Sequence, residues 1–113
     1  MTRQTPEPSG FFQRVWAVVA DIPEGTVMTY GQIAECLDNV CSARYVGYAM
    51  SSAPPERNLP CHRVVNRLGE MSPGLIFGGV EVQRRLLQSE GVLFTDKGRV
   101  DLSASRHRPG TAF

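Results

Sequence analysis

Two short helical patterns separated by a tight break constrain the fold of this chain most strongly. The first pattern begins at Thr29, whose side chain is predicted to form a capping box with Gln32, three positions further on. The second pattern runs from Ala43 to about Ser52, and Val46 and Met50 lie four residues apart on its inner face. Two short helices joined in this way form a helix-turn-helix.

The break between the two patterns runs from Asp38 to Cys41, and Ser42 is the predicted N-cap of the second helix. Arg44, Tyr48 and Ser51 are expected on another, outer face of that helix. A helix with such a face is typical of DNA-binding proteins, but any αα-hairpin gives the same sequence signal. Both interpretations stay open from these residues alone.

Hydrophobic spacing and turn residues predict four further elements, namely a helix over residues 11–20, a small hairpin over 64–71, a helix over 80–90 and a closing hairpin over 92–102. The first hairpin turns at Arg67 to Gly69 and follows the helix pair as a wing. Val82, Leu86 and Leu87 are expected on the buried face of the last helix, which ends at Gly91. The predicted fold class is mostly α with small β hairpins, a winged helix-turn-helix-like single domain.

The composition is that of one ordinary globular domain, since 113 residues with 42% hydrophobic and 20% charged residues suffice for a single core. We expect a disordered leader over residues 1–10, the domain over 11–105 and a loose tail over 106–113. No apolar run approaches the roughly 18 residues of a membrane span, and the polar start does not resemble a signal peptide. Three cysteines without a secretory signal indicate free thiols in the cytoplasm. We expect a monomer, and the net charge of +1 gives no support from bulk electrostatics for nucleic-acid binding.

The segment Pro60-Cys61-His62-Arg63 places a cysteine beside one of only two histidines in the chain. The thiolate is the nucleophilic form of cysteine, so a reactive Cys61 needs a neighbour that lowers its pKa or accepts its proton. His62 is the candidate for that role, acting through a bridging water or a local kink at Pro60. A buried, inert cysteine is the alternative. The histidines and cysteines lack the spacing of a zinc site, so we expect no metal and no cofactor.

In this order, the motifs resemble those of the C-terminal, active domain of the O6-alkylguanine–DNA alkyltransferases and of their small relatives, the alkyltransferase-like proteins. The resemblance covers residues 11–92. It rests on five segments, which are Ile22-Pro-x-Gly25, Thr29-Tyr-Gly-Gln-Ile-Ala34, Ala43-Arg-x-Val-Gly-x-Ala-Met50, Pro60-Cys-His-Arg-Val-Val65 and Leu86-Leu-x-x-Glu-Gly91.

The resemblance implies a DNA repair protein that flips O6-alkylguanine out of the duplex and transfers the alkyl group irreversibly to Cys61. His62 would accept the thiol proton through a water, and Glu90 would orient His62. Arg44 would fill the gap left by the flipped base, and Tyr30 would crowd the target phosphate. The implied DNA-binding residues are Tyr30, Ala43, Arg44, Tyr45, Gly47, Tyr48, Ser51 and Arg63. The implied substrate pocket comprises Tyr30, Met50, Pro60 and Val64.

Several features of the chain favour the alkyltransferase-like relatives, which bind alkylated DNA without repairing it and mark it for nucleotide excision repair proteins. We expect a single domain without the N-terminal domain of the full enzymes. The chain also has Ala53 where they usually place Asn, and has no Tyr in the loop from Ser72 to Gly79. Those relatives, however, typically have Trp at the position of Cys61. The sequence is therefore consistent with two functions, a single-turnover alkyltransferase and a sensor of alkylated DNA. An ordinary winged-helix regulator is a third interpretation. On the enzyme reading we expect a depressed pKa for Cys61 and a core position for Cys36.

Overall fold

The computed structural model describes residues 7–37, 43–71 and 79–108. Its regular elements, in chain order, are α1 (Glu7–Ala20), β1 (Met28–Thr29), α2 (Tyr30–Cys36), α3 (Ala43–Ser51), 3₁₀ turns at Pro55–Arg57 and Cys61–Arg63, β2 (Val64–Val65), α4 (Val80–Ser89) and α5 (Leu102–Ser105). The described part is thus mostly helical with a small two-stranded sheet, as the sequence predicts.

The helix pair forms as predicted and packs with α1 around the main core. The capping box is present, with Gln32 N donating to Thr29 Oγ1 at 3.0 Å and Thr29 N donating to Gln32 Oε1 at 3.1 Å. Val46 and Met50 of α3 are buried. The predicted break at 38–41 and the N-cap at 42 lie outside the described residues.

Helix α1 begins at Glu7, so the predicted leader over residues 1–10 extends too far. Val15 and Val19 are fully buried on its inner face. Trp16 Nε1 donates a hydrogen bond to the carbonyl of Ala49 at 2.8 Å, which ties α1 to α3. The bond gives the buried indole N–H a partner, as burial of this group requires.

Strand β2 pairs in parallel with β1, with Met28 opposite Val64 and Thr29 opposite Val65. The prediction of an antiparallel hairpin starting at Val64 was wrong in its strand pairing. Both valines of β2 have no exposed surface, so the strand needs a partner inside the molecule, and β1 supplies it. The predicted turn itself is present, because Gly69 N donates to the carbonyl of Asn66 at 2.9 Å.

The second core cluster includes Leu87 of α4, and Gln83 is the other buried residue of that helix. Leu86 is 40% exposed, so its predicted place on the buried face was wrong. The closing hairpin is confirmed by an antiparallel bridge between Phe94 and Val100. Cys36 is exposed on α2, which contradicts the expected core position.

The segment after the closing hairpin is bound to the body of the domain. Val27 N donates to the carbonyl of Ser105 at 2.9 Å, and His107 N donates to the carbonyl of Val27 at 2.8 Å. Gln32 Nε2 also donates to the carbonyl of His107 at 2.8 Å. The predicted loose tail over residues 106–113 therefore begins too early, because 106 and 107 complete the hydrogen bonding beside β1.

Candidate functional site

Cys61 begins the 3₁₀ turn that connects a proline-rich loop to β2. Its amide donates to the carbonyl of Leu59 at 2.8 Å, and Arg63 N donates to the carbonyl of Pro60 at 2.9 Å. The loop is bent by Asn58, whose φ of 50° lies in the left-handed region that asparagine tolerates better than most residues. These bonds present the half-buried thiol to one end of a cavity.

The cavity beside Cys61 has a volume of about 370 Å³. Its other lining residues come from the end of α3 and the following loop, namely Met50, Ser51, Ala53, Pro54, Pro55, Asn58 and Leu59. Arg57 packs its guanidinium over the Trp16 ring, 4.9 Å from the ring centroid, which fixes the outer side of the loop to α1. A cavity of this size lies within the range of small-molecule pockets and accepts a small organic group or a nucleobase.

His62 and Glu90 form a direct hydrogen bond, with 2.7 Å between Nε2 and Oε2. Glu90 is the C-cap residue of α4, so the end of the helix delivers the carboxylate to the 3₁₀ turn. A neutral imidazole that donates from Nε2 carries its lone pair on Nδ1. The pair therefore provides a base with a fixed tautomer immediately after Cys61.

The same carboxylate is bound by Arg63, through Nε to Oε1 at 2.9 Å and Nη2 to Oε2 at 2.8 Å. Arg63 Nη1 also donates to the carbonyl of Ile22 at 2.8 Å. Burial alone would raise the pKa of Glu90, but the hydrogen bonds from Arg63 and His62 outweigh it and lower that pKa to about 2. Glu90 is thus ionised throughout the physiological range.

Burial raises the pKa of the Cys61 thiol. The expected depression of this pKa was wrong, because burial is the cause that acts on the thiol and the His62 ring is hydrogen-bonded to Glu90. Cys36, although exposed on α2, also has a raised pKa, first through the partial desolvation of its thiol by neighbouring atoms and second through the nearby charge of Glu35. Any reaction at Cys61 therefore starts from the protonated thiol and needs a proton acceptor.

Gln83 is a site residue that the sequence analysis missed. The side chain has no exposed surface, and its Nε2 donates to the carbonyls of His62 at 3.0 Å and Val64 at 3.1 Å. The sequence did indicate that Gln83 is buried, because it lies four residues before Leu87 and hence on the same face of a predicted amphipathic helix. The two bonds anchor the 3₁₀ turn to α4.

A groove of about 400 Å³ lies between the start of α3 and the turn after β2. Its lining residues are Tyr30, Gly31, Ala43, Arg44, Gly47, Asn66 and Arg67. Arg44, Tyr45, Tyr48 and Ser51 are exposed on α3, and the rings of Tyr45 and Tyr48 meet edge to face with centroids 5.5 Å apart. The α3 residues predicted to bind DNA therefore share one accessible surface.

Four predicted positions need correction. Arg63 is turned inward onto Glu90, with only 15% of its side chain exposed, so it does not belong to the exposed α3 surface. Val64 has no exposed surface, because it lies in the interior strand β2, and it does not line the Cys61 cavity. Of the residues predicted for the substrate pocket, Met50 lines the Cys61 cavity. Tyr30 lines the groove instead, and the half-buried Pro60 lines neither.

Within residues 7–37, 43–71 and 79–108, no three His, Cys, Asp or Glu side chains come together in a way that would hold a metal ion. None of the helices in those ranges combines the length and apolar character needed to cross a bilayer.

The model of the family described as "6-O-methylguanine DNA methyltransferase, DNA binding domain" matches residues 10–92, which include Cys61, His62 and Glu90. The chain belongs to this family of DNA repair proteins.

Within the alkyltransferase family, relatives of two kinds are similar to this chain. A DNA base-flipping protein of Escherichia coli is 44% identical over 96 residues, which are 85% of this chain and 73% of that protein. A methylated-DNA–protein-cysteine methyltransferase of Haemophilus influenzae is 36% identical over 93 residues, which are 82% of this chain and 51% of the relative.

Among solved structures, Schizosaccharomyces pombe Atl1 in complex with damaged DNA containing O6-carboxymethylguanine is similar over 96% of this chain and 100% of that one. Its TM-score is 0.75 and its sequence identity is 35%. This similarity confirms the predicted fold class and family, and family membership identifies the protein as a DNA-binding repair protein.

Proposed function

We propose that the protein binds duplex DNA containing O6-alkylguanine, turns the modified base out of the helix and transfers the alkyl group irreversibly to Cys61. The observation that carries this proposal is the position of Cys61 on the wall of a cavity of about 370 Å³, directly before a hydrogen-bonded His62–Glu90 pair. A nucleophile, a base and an orienting acid in this arrangement are the parts of an activated-thiol site.

DNA binding is proposed for the exposed surface of α3 and the adjoining groove. The target atom of a stacked base is out of reach inside the duplex, so the base must leave the stack. Arg44 is exposed on the groove wall, and its proposed role is to enter the gap that the departing base leaves. Tyr30, on the same groove, is proposed to contact the phosphate beside the flipped nucleotide.

The transfer step makes one S–C bond and breaks one C–O bond. The thiol proton of Cys61 passes to Nδ1 of His62 through a water, and the sulfur attacks the alkyl carbon attached to guanine O6. The electron pair of the broken bond remains on the guanine, which takes up one proton and becomes unmodified guanine. Ionised Glu90 stabilises the His62 cation during the step. The thioether on Cys61 has no leaving group, so each molecule reacts once.

A second candidate function is lesion recognition without transfer, in which Cys61 is only a wall of the base pocket. The raised pKa of the Cys61 thiol favours this candidate, because a protonated thiol is a poor nucleophile. The similarity of the chain to a DNA base-flipping protein and to Atl1 also supports lesion recognition without transfer. Such a protein would present the lesion to nucleotide excision repair proteins.

The deciding experiment is intact-mass measurement after incubation with an oligonucleotide duplex containing O6-methylguanine. Transfer adds one methylene to the protein, restores guanine in the DNA and stops after one event per molecule. Cys61→Ser should abolish the mass gain and retain lesion binding. His62→Ala and Glu90→Gln should slow the gain by about 10²–10⁴-fold, the usual worth of a general base.

Tight lesion binding by the wild-type protein with no mass gain over hours would contradict transfer and leave the sensor function. Equal affinity for lesion and undamaged duplexes would contradict both.

A further inference from the structure

Arg67 lies on the wall of the groove that Arg44 also lines, but on a different structural element. Arg44 belongs to α3, whereas Arg67 belongs to the turn that follows β2. Both side chains are exposed, and neither has an ion pair or hydrogen bond with another described residue. The groove therefore presents two guanidinium groups whose charges are not neutralised within the described parts of the chain.

The turn that carries Arg67 is held by its own side chains. Asn66 Oδ1 accepts hydrogen bonds from the amides of Leu68 and Glu70, both at 2.9 Å. Asn66 Nδ2 donates to Glu70 Oε1 at 2.9 Å. An asparagine that binds the backbone two residues on is a common way of fixing a turn. Arg67 therefore projects from a backbone of fixed shape.

The turn is also joined to the closing hairpin. Gly69 has a φ of +81°, and a Cβ atom at this position would lie 2.5 Å from the carbonyl oxygen of Val100. Only glycine permits this approach, which is secured by the bond from Val100 N to the carbonyl of Gly69 at 2.8 Å. The backbone of the turn is therefore rigidly placed relative to the rest of the domain.

The acidic residue of the turn does not neutralise Arg67. The Glu70 carboxylate is shared between Asn66 Nδ2 and Arg99 Nε, the second at 3.3 Å from Oε2. The positive charge of Arg67 is accordingly available to a ligand in the groove.

The groove between the two arginines is lined by small or flat groups. Gly31, Ala43 and Gly47 contribute little side-chain volume, and Tyr30 contributes a ring. A polymer with regularly spaced negative charges and compact sugars between them suits such a surface. DNA–protein contacts commonly use arginines in this way, to fix the register of a strand without reading its bases.

We propose that Arg67 is a phosphate-binding residue, contacting the backbone of a DNA strand that lies in the groove opposite Arg44. The inference rests on the proposed function and deepens it by separating two tasks. Arg44 acts at the gap left by the flipped base, whereas Arg67 contributes affinity that is independent of lesion and sequence.

The test measures the affinity of Arg67→Ala for an undamaged duplex and for the same duplex containing O6-methylguanine, at several salt concentrations. Loss of one phosphate contact makes the negative slope of log K against log salt shallower by about 1. It also weakens binding on the order of tenfold near 0.1 M salt. Both duplexes should lose affinity by the same factor. Arg67→Lys should restore the slope, since lysine keeps the charge.

Arg85→Ala is the matched control, because Arg85 is also exposed but lies on α4, outside the groove. It should change neither the affinity nor the slope. An unchanged slope in Arg67→Ala, a loss confined to the lesion duplex, or no binding of either duplex by the wild-type protein would each overturn the proposal. A missing lesion preference or mass gain would contradict the proposed function alone, because the slope on undamaged DNA still decides the role of Arg67.

Discussion

Arg63 binds both oxygens of the Glu90 carboxylate, from Nε to Oε1 at 2.9 Å and from Nη2 to Oε2 at 2.8 Å. The carboxylate also accepts a hydrogen bond from His62 on Oε2. Arg63 thereby fixes the plane of the Glu90 carboxylate, and this carboxylate in turn orients the His62 imidazole. The arginine of the Pro60–Arg63 motif is thus a positioning residue for the base.

Replacing Arg63 should be costly for stability. Arg63→Met leaves a mostly buried carboxylate with one partner instead of two, and we expect a loss of about 3 kcal/mol in the free energy of unfolding. The unfolding free energy of Arg63→Lys should lie between those of the wild type and Arg63→Met, because lysine keeps the charge but not the two parallel hydrogen bonds. Urea denaturation measures both.

Arg84→Met is the control for this prediction, since its partner Glu81 is 72% exposed and such pairs are worth less than about 1 kcal/mol. Equal losses at the two positions would show that the Arg63–Glu90 geometry contributes nothing special.

The ionisation of Glu90 should make stability depend on acid pH. Its pKa is lowered from 4.5 to about 2, so the unfolded state binds a proton at a higher pH than the folded state. The stabilising contribution is present above pH 4.5 and is lost as the pH falls from 4.5 towards 2. Urea denaturation between pH 7 and about 2 should show the difference between wild type and Glu90→Gln shrinking across that window. A difference that stays constant would mean that Glu90 titrates normally in the folded protein.

Gln83 should matter for the shape of the Cys61–Arg63 turn. Gln83→Met has a similar length but no donors, so the carbonyls of His62 and Val64 lose a buried partner, at a cost of about 1–3 kcal/mol in unfolding free energy. Gln88→Met is the matched control, because Gln88 is exposed on the same helix. If both variants unfold at the same urea concentration, the amide does not hold the turn.

Local elements of this fold were predictable, whereas its long-range pairings were not. The capping box at Thr29 and Gln32 depends on residues three apart and follows directly from their types. The parallel pairing of β1 with β2 joins residues 36 positions apart, such as Met28 and Val64, and periodicity carries no information about it. Short apolar runs indicate a strand but not its partner.

The candidate site divides in the same way. Cys61 and His62 follow from the Pro60–Arg63 motif, and Glu90 follows only from the resemblance to the family. The partner of Arg63 follows from neither, because an arginine near a cysteine fits a DNA contact as well as an internal ion pair. The raised pKa of Cys61 was missed because burial is a property of the folded loop, formed by residues from Met50 to Leu59.

The thiol of Cys61 should titrate above the ordinary range for cysteine, because burial raises its pKa. In a Cys36→Ser/Cys41→Ser background, the rate of alkylation by iodoacetamide reports the thiolate of Cys61 alone. This rate should rise with a midpoint at higher pH than that of a blocked cysteine peptide, and reaction at pH 7 should be slower than that of the peptide. A midpoint below that of the peptide would show an activated thiolate in the free protein. In that case the proton transfer to His62 would precede DNA binding instead of accompanying the transfer step.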